Sequence, residues 1–393
     1  MISTSISPDL HTIQLGKSWF SPQSGGGLDR MFDGLMRHFP SVNVDAQGFV
    51  TGPSRLAFAP KTIRGVCDES APLTRRGLAF RSAVRSALNT TPRPLVAAHF
   101  AVYAAPVLDL IGDAPFVFHF HGPWGLESKA EGEPWWTVQA KTMLERLVYR
   151  RADHFIVLSS AFRDVLTTHY GISAERISLV PGGVDVDRFH NGVSREEARL
   201  HLHLPTTRPI VVAVRRLARR MGLEHLIEAW SVVCNTHPDA LLLIAGKGPL
   251  RNELQAHIDR LNLNQNVRLL GFVPDEDLPS LYRAANLSVL PTVALEGFGL
   301  TTIESLAAGT PVLVTPVGGL PEVVQGLSST LILPEASTDA LANGLTSALL
   351  NPTALPSSAE CQSFAAANYA WPVIAAQTRD VYESVHERSP SMK

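Results

Sequence analysis

A chain of 393 residues exceeds what one hydrophobic core supports, so two domains are expected, and 45% apolar with 18% charged residues excludes a disordered or fibrous protein. A formal charge of −2 argues against nucleic-acid binding through bulk positive charge, and no run of eighteen apolar residues is present to span a bilayer. Cys67, Cys234 and Cys361 are scattered without a Cys-x-x-Cys, and MISTSISPDL has neither a basic start nor an apolar h-region, so reduced thiols and a cytoplasmic location are expected.

Thr12 to Leu15 reads as a strand and Leu28 to Phe39 as a helix, with SPQSGGG between them ending in Gly26 and Gly27. Strand, glycine loop and helix let backbone N–H groups approach a phosphate, although three glycines alone make a flexible turn as readily. Leu73 to Leu88 sets Leu73, Leu78, Phe80, Val84 and Leu88 among Arg75, Arg76, Arg81 and Arg85 with no acid. Such a helix either packs its stripe on its own sheet or lies on an anionic membrane. Leu95 to His99 and Pro115 to His119 read as buried parallel strands flanking a helical Ala104 to Ile111. His99 reads as a hydrogen-bonded histidine at a strand end, and His121-Gly122 follows the second strand. Trp124, Trp135 and Trp136 fall in a predicted loop, where they either cover the apolar or sugar face of a ligand or join the core. Lys141 to Arg151 is a predicted helix, Asp153 to Leu158 a strand, and Ser159-Ser160 caps a helix through Thr168. Asp185-Val186-Asp187 has the Asp-x-Asp spacing of a metal motif, but its setting after Pro181-Gly182-Gly183 argues against that use. His190 to Pro205 is polar with a short helical piece and marks the expected boundary.

The second half opens on a strand, Ile210 to Val214, followed by Arg215-Arg216-Leu217 and Arg219-Arg220-Met221-Gly222. Leu223 to Val233 reads as a helix, Leu241 to Ile244 as a strand, and Gly246-Lys247-Gly248-Pro249 as a turn before a helix from Leu250 to Leu261. A dinucleotide fingerprint needs a third glycine where Arg251 stands, which removes the main support for a dehydrogenase. Val267 to Leu270 is a strand leading into Gly271-Phe272-Val273, and Asn286 to Leu290 another. EGFGL then joins that strand to a helix from Thr301 to Ala308 closed by Gly309. A glycine-rich turn into a helix start exposes N–H groups and the positive end of a dipole, which suits a diphosphate. Glu296 sits in the turn and Glu304 in the helix, so one of them can face a sugar at the mouth while the other, deeper, accepts from a ribose diol, or both are solvated acids at a helix end. Thr330 to Leu333 reads as a strand, Asp339 to Leu350 as a helix, and Ala365 to Val385 as a helix interrupted at Pro372. Alternating strands and helices in both halves predict an α/β protein with two doubly wound parallel sheets.

Glu296-x7-Glu304 with Gly297, Phe298, Gly299 and Leu300, then Gly309-Thr310-Pro311 and Gly318-Gly319-Leu320-Pro321-Glu322, resembles the signature of retaining GT-B glycosyltransferases of family four, or glycosyl transferases group 1. The resemblance runs over nearly the whole chain. It implies two Rossmann-like domains facing a central cleft: an acceptor-side domain 1–204, with a last helix near 372–388 packing back onto it, and a donor domain 205–371. It also implies roles. Gly26 and Gly27 let the backbone approach the donor, His121 and Glu296 meet the transferred hexose, and Glu304 holds the ribose. The family's arginine and lysine clamp the diphosphate; Arg216 matches, but Met221 stands in place of the lysine, leaving Arg219 and Arg220 to replace it. Gly246, Gly248, Phe272 and Val273 fall on the nucleotide side, with Gly297 to Leu300 at the diphosphate. The implied reaction is metal-independent retaining transfer of a hexose from a UDP- or GDP-sugar to a hydroxyl acceptor in glycan biosynthesis. It uses no cofactor and no nucleic acid, with weak peripheral membrane contact expected. An epimerase or phosphorylase of the same fold, or a non-catalytic sugar-nucleotide-binding module, is the alternative.

Overall fold

The computed structural model describes residues 10–20, 26–57, 59–190 and 192–388, so positions 21–25 of the predicted glycine loop lie outside the described residues. The chain forms two compact units. Met1–Leu126, Pro134–Gly183 and Trp371–Lys393 make the first, and Glu127–Glu133 with Val184–Ala370 the second.

In the first unit the chain runs β1 (Leu10–Ser18), α1 (Gly27–His38), β2 (Val44–Thr51), β3 (Ile63–Gly65), α2 (Leu73–Thr90), β4 (Leu95–Ala98), α3 (Ala101–Ala104) and β5 (Phe116–Phe120). It continues through α4 (Trp124–Ala130), whose second half groups with the other unit, α5 (Trp135–Arg151), β6 (His154–Val157), α6 (Ser160–Tyr170) and β7 (Ile177–Leu179). The seven strands are ordered β3-β2-β1-β4-β5-β6-β7 and pair in parallel throughout. Near-continuous apolar runs explain this: Phe116–Phe120 is buried at every position, as a strand covered on both faces requires.

The second unit contains α7 (Val186–Phe189), α8 (Arg195–His201), β8 (Ile210–Val214), α9 (Leu223–Thr236), β9 (Leu241–Ala245), α10 (Arg251–Arg260), β10 (Val267–Gly271), α11 (Leu278–Ala284) and β11 (Leu287–Leu290). α12 (Leu300–Ala307), β12 (Val312–Val314), α13 (Leu320–Gln325), α14 (Thr338–Leu350) and α15 (Ser358–Tyr369) complete it, and α16 (Trp371–Arg388) belongs to the first unit. Its five parallel strands are ordered β10-β9-β8-β11-β12, with Trp230, Ile227 and Leu226 of α9 fully buried against them.

Several expectations are corrected. The division falls after Gly183 rather than at 204, because α8 is tied into the second unit: buried Arg199 donates to Ala284 O at 2.9 Å and to Asn286 Oδ1 at 2.8 Å. The helix expected over Ala104 to Ile111 is instead α3 and a 3-10 turn, Ala105–Val107, where Pro106 removes a donor. Thr330 to Leu333 forms a 3-10 turn, Ser329–Leu331, with a single bridge from Ile332 to Val314. The three tryptophans stand on helices rather than a loop: Trp124 starts α4, while Trp135 and Trp136 start α5. The last helical tail begins at Ser358, where Ser357 and Glu360 form a capping box, and it breaks at Ala370. Pro372 then falls in the first turn of α16, where a missing N–H costs nothing.

Candidate active site

In the second sheet the strand order reverses between β8 and β11, and the loops leaving those two strands carry the expected donor residues. Ligands of doubly wound sheets bind outside the carboxyl ends of strands at such a reversal. Arg215 and Arg216, directly after β8, have different surroundings. Arg216 is exposed. Arg215 is only 8% exposed, and its Nη2 donates to Thr292 Oγ1 at 2.6 Å, to Met221 Sδ at 2.9 Å and to Glu296 Oε2 in a shorter contact.

Glu296 is therefore the partner of a buried guanidinium, with its side chain 14% exposed. Burial alone would raise its pKa. The charge and hydrogen bond of Arg215, the charge of Arg220 and the Phe298 N–H outweigh burial and hold the carboxyl below the usual range. The backbone around it is equally constrained. Leu295 has φ +52°, its carbonyl accepts from Arg220 Nη1 at 2.9 Å, and the Glu296 carbonyl accepts from Gly319 N–H at 2.9 Å. At Gly318, with φ +58°, a Cβ would stand 1.8 Å from the Glu296 carbonyl oxygen, so only glycine fits.

Glu304 lies on α12, 4% exposed, and accepts from the Tyr282 hydroxyl at 3.1 Å. Gly297 is buried, Gly299 caps α12 in the left-handed region at φ +77°, and Leu300 opens the helix. Phe298 is a core side chain, 4% exposed and edge-on to Tyr369 with centroids 5.7 Å apart, so its N–H rather than its ring faces the site. Gly246 and Gly248 have a packing duty before any ligand is considered. A Cβ on Gly246 would lie 1.9 Å from Arg215 O and one on Gly248 2.2 Å from Leu217 O, so both glycines shape the loop that presents Arg216. Phe272 is 38% exposed beneath Lys247 Nζ at 4.4 Å, and Val273 is half-buried. Of the two expected lysine replacements, Arg219 is exposed and faces Glu253 at 3.3 Å. Arg220 is 13% exposed, with Glu127 and Glu131 each at 3.5 Å. Asp185 of the Asp-x-Asp accepts from Arg188 N–H at 3.1 Å as the cap of α7.

In the first sheet the reversal falls between β1 and β4. Gln14 on β1, His99 after β4, and His119 and His121 at the end of β5 meet there. His99 Nδ1 lies 3.0 Å from His121 Nε2, His99 Nε2 3.3 Å from Gln14 Oε1, and His119 Nε2 2.6 Å from the Tyr382 hydroxyl of α16. Ring nitrogens of the three histidines come within 4.8 Å of one another, close enough to suggest a metal site. Their planes, however, are nearly parallel: His99 and His119 stack at 4.1 Å and 13°, His99 and His121 at 17°. A ligand lone pair lies in its ring plane, and stacked planes cannot aim three of them at one ion. Burial pushes all three pKa values down, that of His121 to about 4, with mutual repulsion adding at His99 and His119. His121 is thus a neutral imidazole at pH 7, suited to exchanging a hydrogen bond with a hydroxyl. Gly26 caps α1, but its N–H already donates to Asp29 at 3.3 Å, and Asp29 is 5% exposed. A carboxylate therefore occupies the helix start where a phosphate was expected, with Gly27 as the first helical residue.

Arg215, Tyr282, Gln14 and Tyr382 were not expected in these networks. Arg215 alone left a trace in the sequence, as a second cation where the resemblance carries a glycine.

Two parallel α/β units, each with its polar cluster at a strand-order reversal, define the GT-B class of fold. Residues 25–188 match the family model described as Glycosyltransferase Family 4, and residues 194–369 that described as Glycosyl transferases group 1. The chain belongs to this glycosyltransferase family. Mannosylfructose-phosphate synthase of Agrobacterium fabrum is 35% identical over 184 residues, 45% of this chain and 40% of that protein. A D-inositol 3-phosphate glycosyltransferase of Corynebacterium kroppenstedtii is 29% identical over 264 residues, 65% of this chain and 58% of that protein. The matches thus span about half the length of these relatives. Sucrose-phosphate synthase of Thermosynechococcus elongatus shares the fold with a TM-score of 0.80 at 23% identity, over 96% of this chain and 100% of that one. Anabaena HepE, solved with UDP-glucose, does so with a TM-score of 0.75 at 20% identity, over 95% and 100%.

Proposed function

We propose that this protein is a retaining glycosyltransferase that moves a hexose from a UDP- or GDP-sugar to an acceptor hydroxyl, without a divalent metal, in glycan or glycoconjugate biosynthesis. The observation that carries the reading is the pair of carboxylates at the β8/β11 reversal: Glu304 buried on α12 beside Tyr282, and Glu296 kept ionised by Arg215. Family membership supports it, as do the activities of the relatives and the UDP-glucose bound by HepE. In this reading Glu304 takes the ribose, Glu296 the hexose, and His121 a sugar hydroxyl as a neutral imidazole. Arg216 and Arg220, with the N–H groups of Gly297 to Leu300, offset the charge that develops on the diphosphate leaving group. Arg219, exposed and facing Glu253, contributes less.

The test is a panel of UDP- and GDP-sugars assayed in EDTA, with NMR of the product linkage. Transfer that survives EDTA and keeps the donor's anomeric configuration is expected. An inverted linkage or a strict metal requirement would sink the reading. Donor conversion that needs phosphate or no acceptor would indicate a phosphorylase or epimerase, and binding without turnover a non-catalytic module.

A further inference from the structure

Helix α5 is amphipathic the wrong way round for a helix that ends at solvent. Val138, Glu145, Val148 and Tyr149 face inward, and the line that points furthest from them is Trp136, Ala140, Met143 and Leu147, spaced four, three and four apart. Trp136 is 63%, Met143 70% and Leu147 54% exposed, with Trp135 at 73% beside them. A packed surface helix carries polar residues there. The flank of this line holds Gln139, Arg146 and Arg150, all exposed. The helix has one acid, Glu145, and that is buried: it accepts Trp124 N–H at 2.7 Å, Gly125 N–H at 3.2 Å and the Tyr170 hydroxyl at 2.8 Å. The exposed face is therefore apolar, tryptophan-bearing and purely cationic.

We infer that this face of α5 docks on an anionic lipid bilayer. Tryptophans favour the boundary between headgroups and acyl chains, and arginines beside an apolar stripe meet anionic headgroups. A second copy of the chain is a poorer occupant, since two identical cationic faces repel. Helix α2, the other candidate, is largely committed to the fold. Phe80 and Val84 are buried, Arg76 donates to the Tyr103 hydroxyl, and Arg81 pairs with Asp109, leaving Leu73 and Leu78 exposed with Arg75 and Arg85.

The experiment is co-sedimentation of the full chain with phosphatidylcholine vesicles, with and without phosphatidylglycerol, across a salt series, together with quenching of tryptophan emission by brominated lipid. Wild type should bind only the anionic vesicles and release with salt. Arg146→Gln with Arg150→Gln should lower partitioning about 25-fold, taking each arginine as worth about fivefold. Trp136→Ser with Met143→Ser and Leu147→Ser should abolish quenching without lowering the melting temperature, because these side chains pack on little. Arg75→Gln with Arg85→Gln on α2 should change binding far less. Absence of wild-type binding to anionic vesicles would overturn the inference. So would binding indifferent to the α5 variants, or a dimer in sedimentation velocity that Trp136→Ser dissolves. None of these outcomes depends on whether the chain transfers sugar.

Discussion

At the scale of single residues, Arg215 decides what substitutions at Glu296 will report. Glu296→Gln keeps the shape and an acceptor for Arg215 but leaves a buried guanidinium without its counter-charge, a change that costs about 3 kcal/mol where both partners are buried. The variant should melt lower yet still bind UDP or GDP, while transfer is lost. Glu304→Ala should instead weaken nucleotide binding itself, because that carboxylate is the deeper of the two and already orders Tyr282. Calorimetric titration separates the outcomes, and equal loss of nucleotide affinity in both variants would reject the assigned roles. Removing the cation gives the complementary result. In Arg215→Met the largest counterweight to burial is gone and the Glu296 pKa rises, so the acidic limb of the kcat/KM profile should move to higher pH. An unmoved limb would mean that another group sets it. The two glutamates were legible because glycines and prolines at fixed spacing surround them. Arg215 was not, since two adjacent arginines look alike in a sequence and only the packing of Thr292 and Met221 buries one of them.

At the scale of elements, β8 to β11 of the second unit were read almost to the residue, because short apolar runs between turn residues have few other uses, whereas β12 was passed over and Thr330 to Leu333 was read as a strand although it forms a 3-10 turn. Helix α5 was read six residues short, since its start has a proline cap and two exposed tryptophans rather than an apolar face. The histidine stack was beyond sequence reasoning for a different reason. It requires the ends of β1, β4 and β5 to be neighbours, which follows from the strand order and not from any local pattern. That stack should make stability depend on pH. The unfolded chain binds protons on these histidines below about pH 6.5, whereas the folded chain resists, His121 down to about 4. The stabilisation is therefore complete above 6.5 and is lost as pH falls from there towards 4. Differential scanning calorimetry between pH 7.5 and 4.5 should show the first unit's transition falling with pH, and His119→Phe should flatten the slope. A slope unchanged in that variant would place the dependence on other groups.

At the scale of the whole chain, the course of the backbone is more consequential than the location of the boundary. The chain leaves the first unit at Gly183 and returns at Trp371, so 187 residues of a second fold, with 7 more from Glu127–Glu133, interrupt or flank what belongs to one core. The crossing itself was legible from Trp371-Pro372. The boundary was not, because the polar stretch after Gly183 owes its place to Arg188 on Asp275 and Arg199 on α11, contacts no composition shift announces. The returning helix is not an accessory. Trp371 is 5% exposed, Ile374 and Tyr382 are fully buried, and Tyr382 holds His119 and Gln14 through its hydroxyl. Loss of a buried large aromatic costs about 3–5 kcal/mol, so losing two of them with Ile374 approaches the roughly 5–15 kcal/mol that holds a domain folded. A chain ending at Ala370 should therefore keep a folded second unit and lose the first. Limited proteolysis read by mass spectrometry should show cuts throughout β1 to β7 with 184–370 protected, and nucleotide binding through the second unit should persist. If the shortened chain resists protease across both units and melts as the full chain does, α16 is dispensable and the burial of Trp371 and Tyr382 stabilises far less than its area implies.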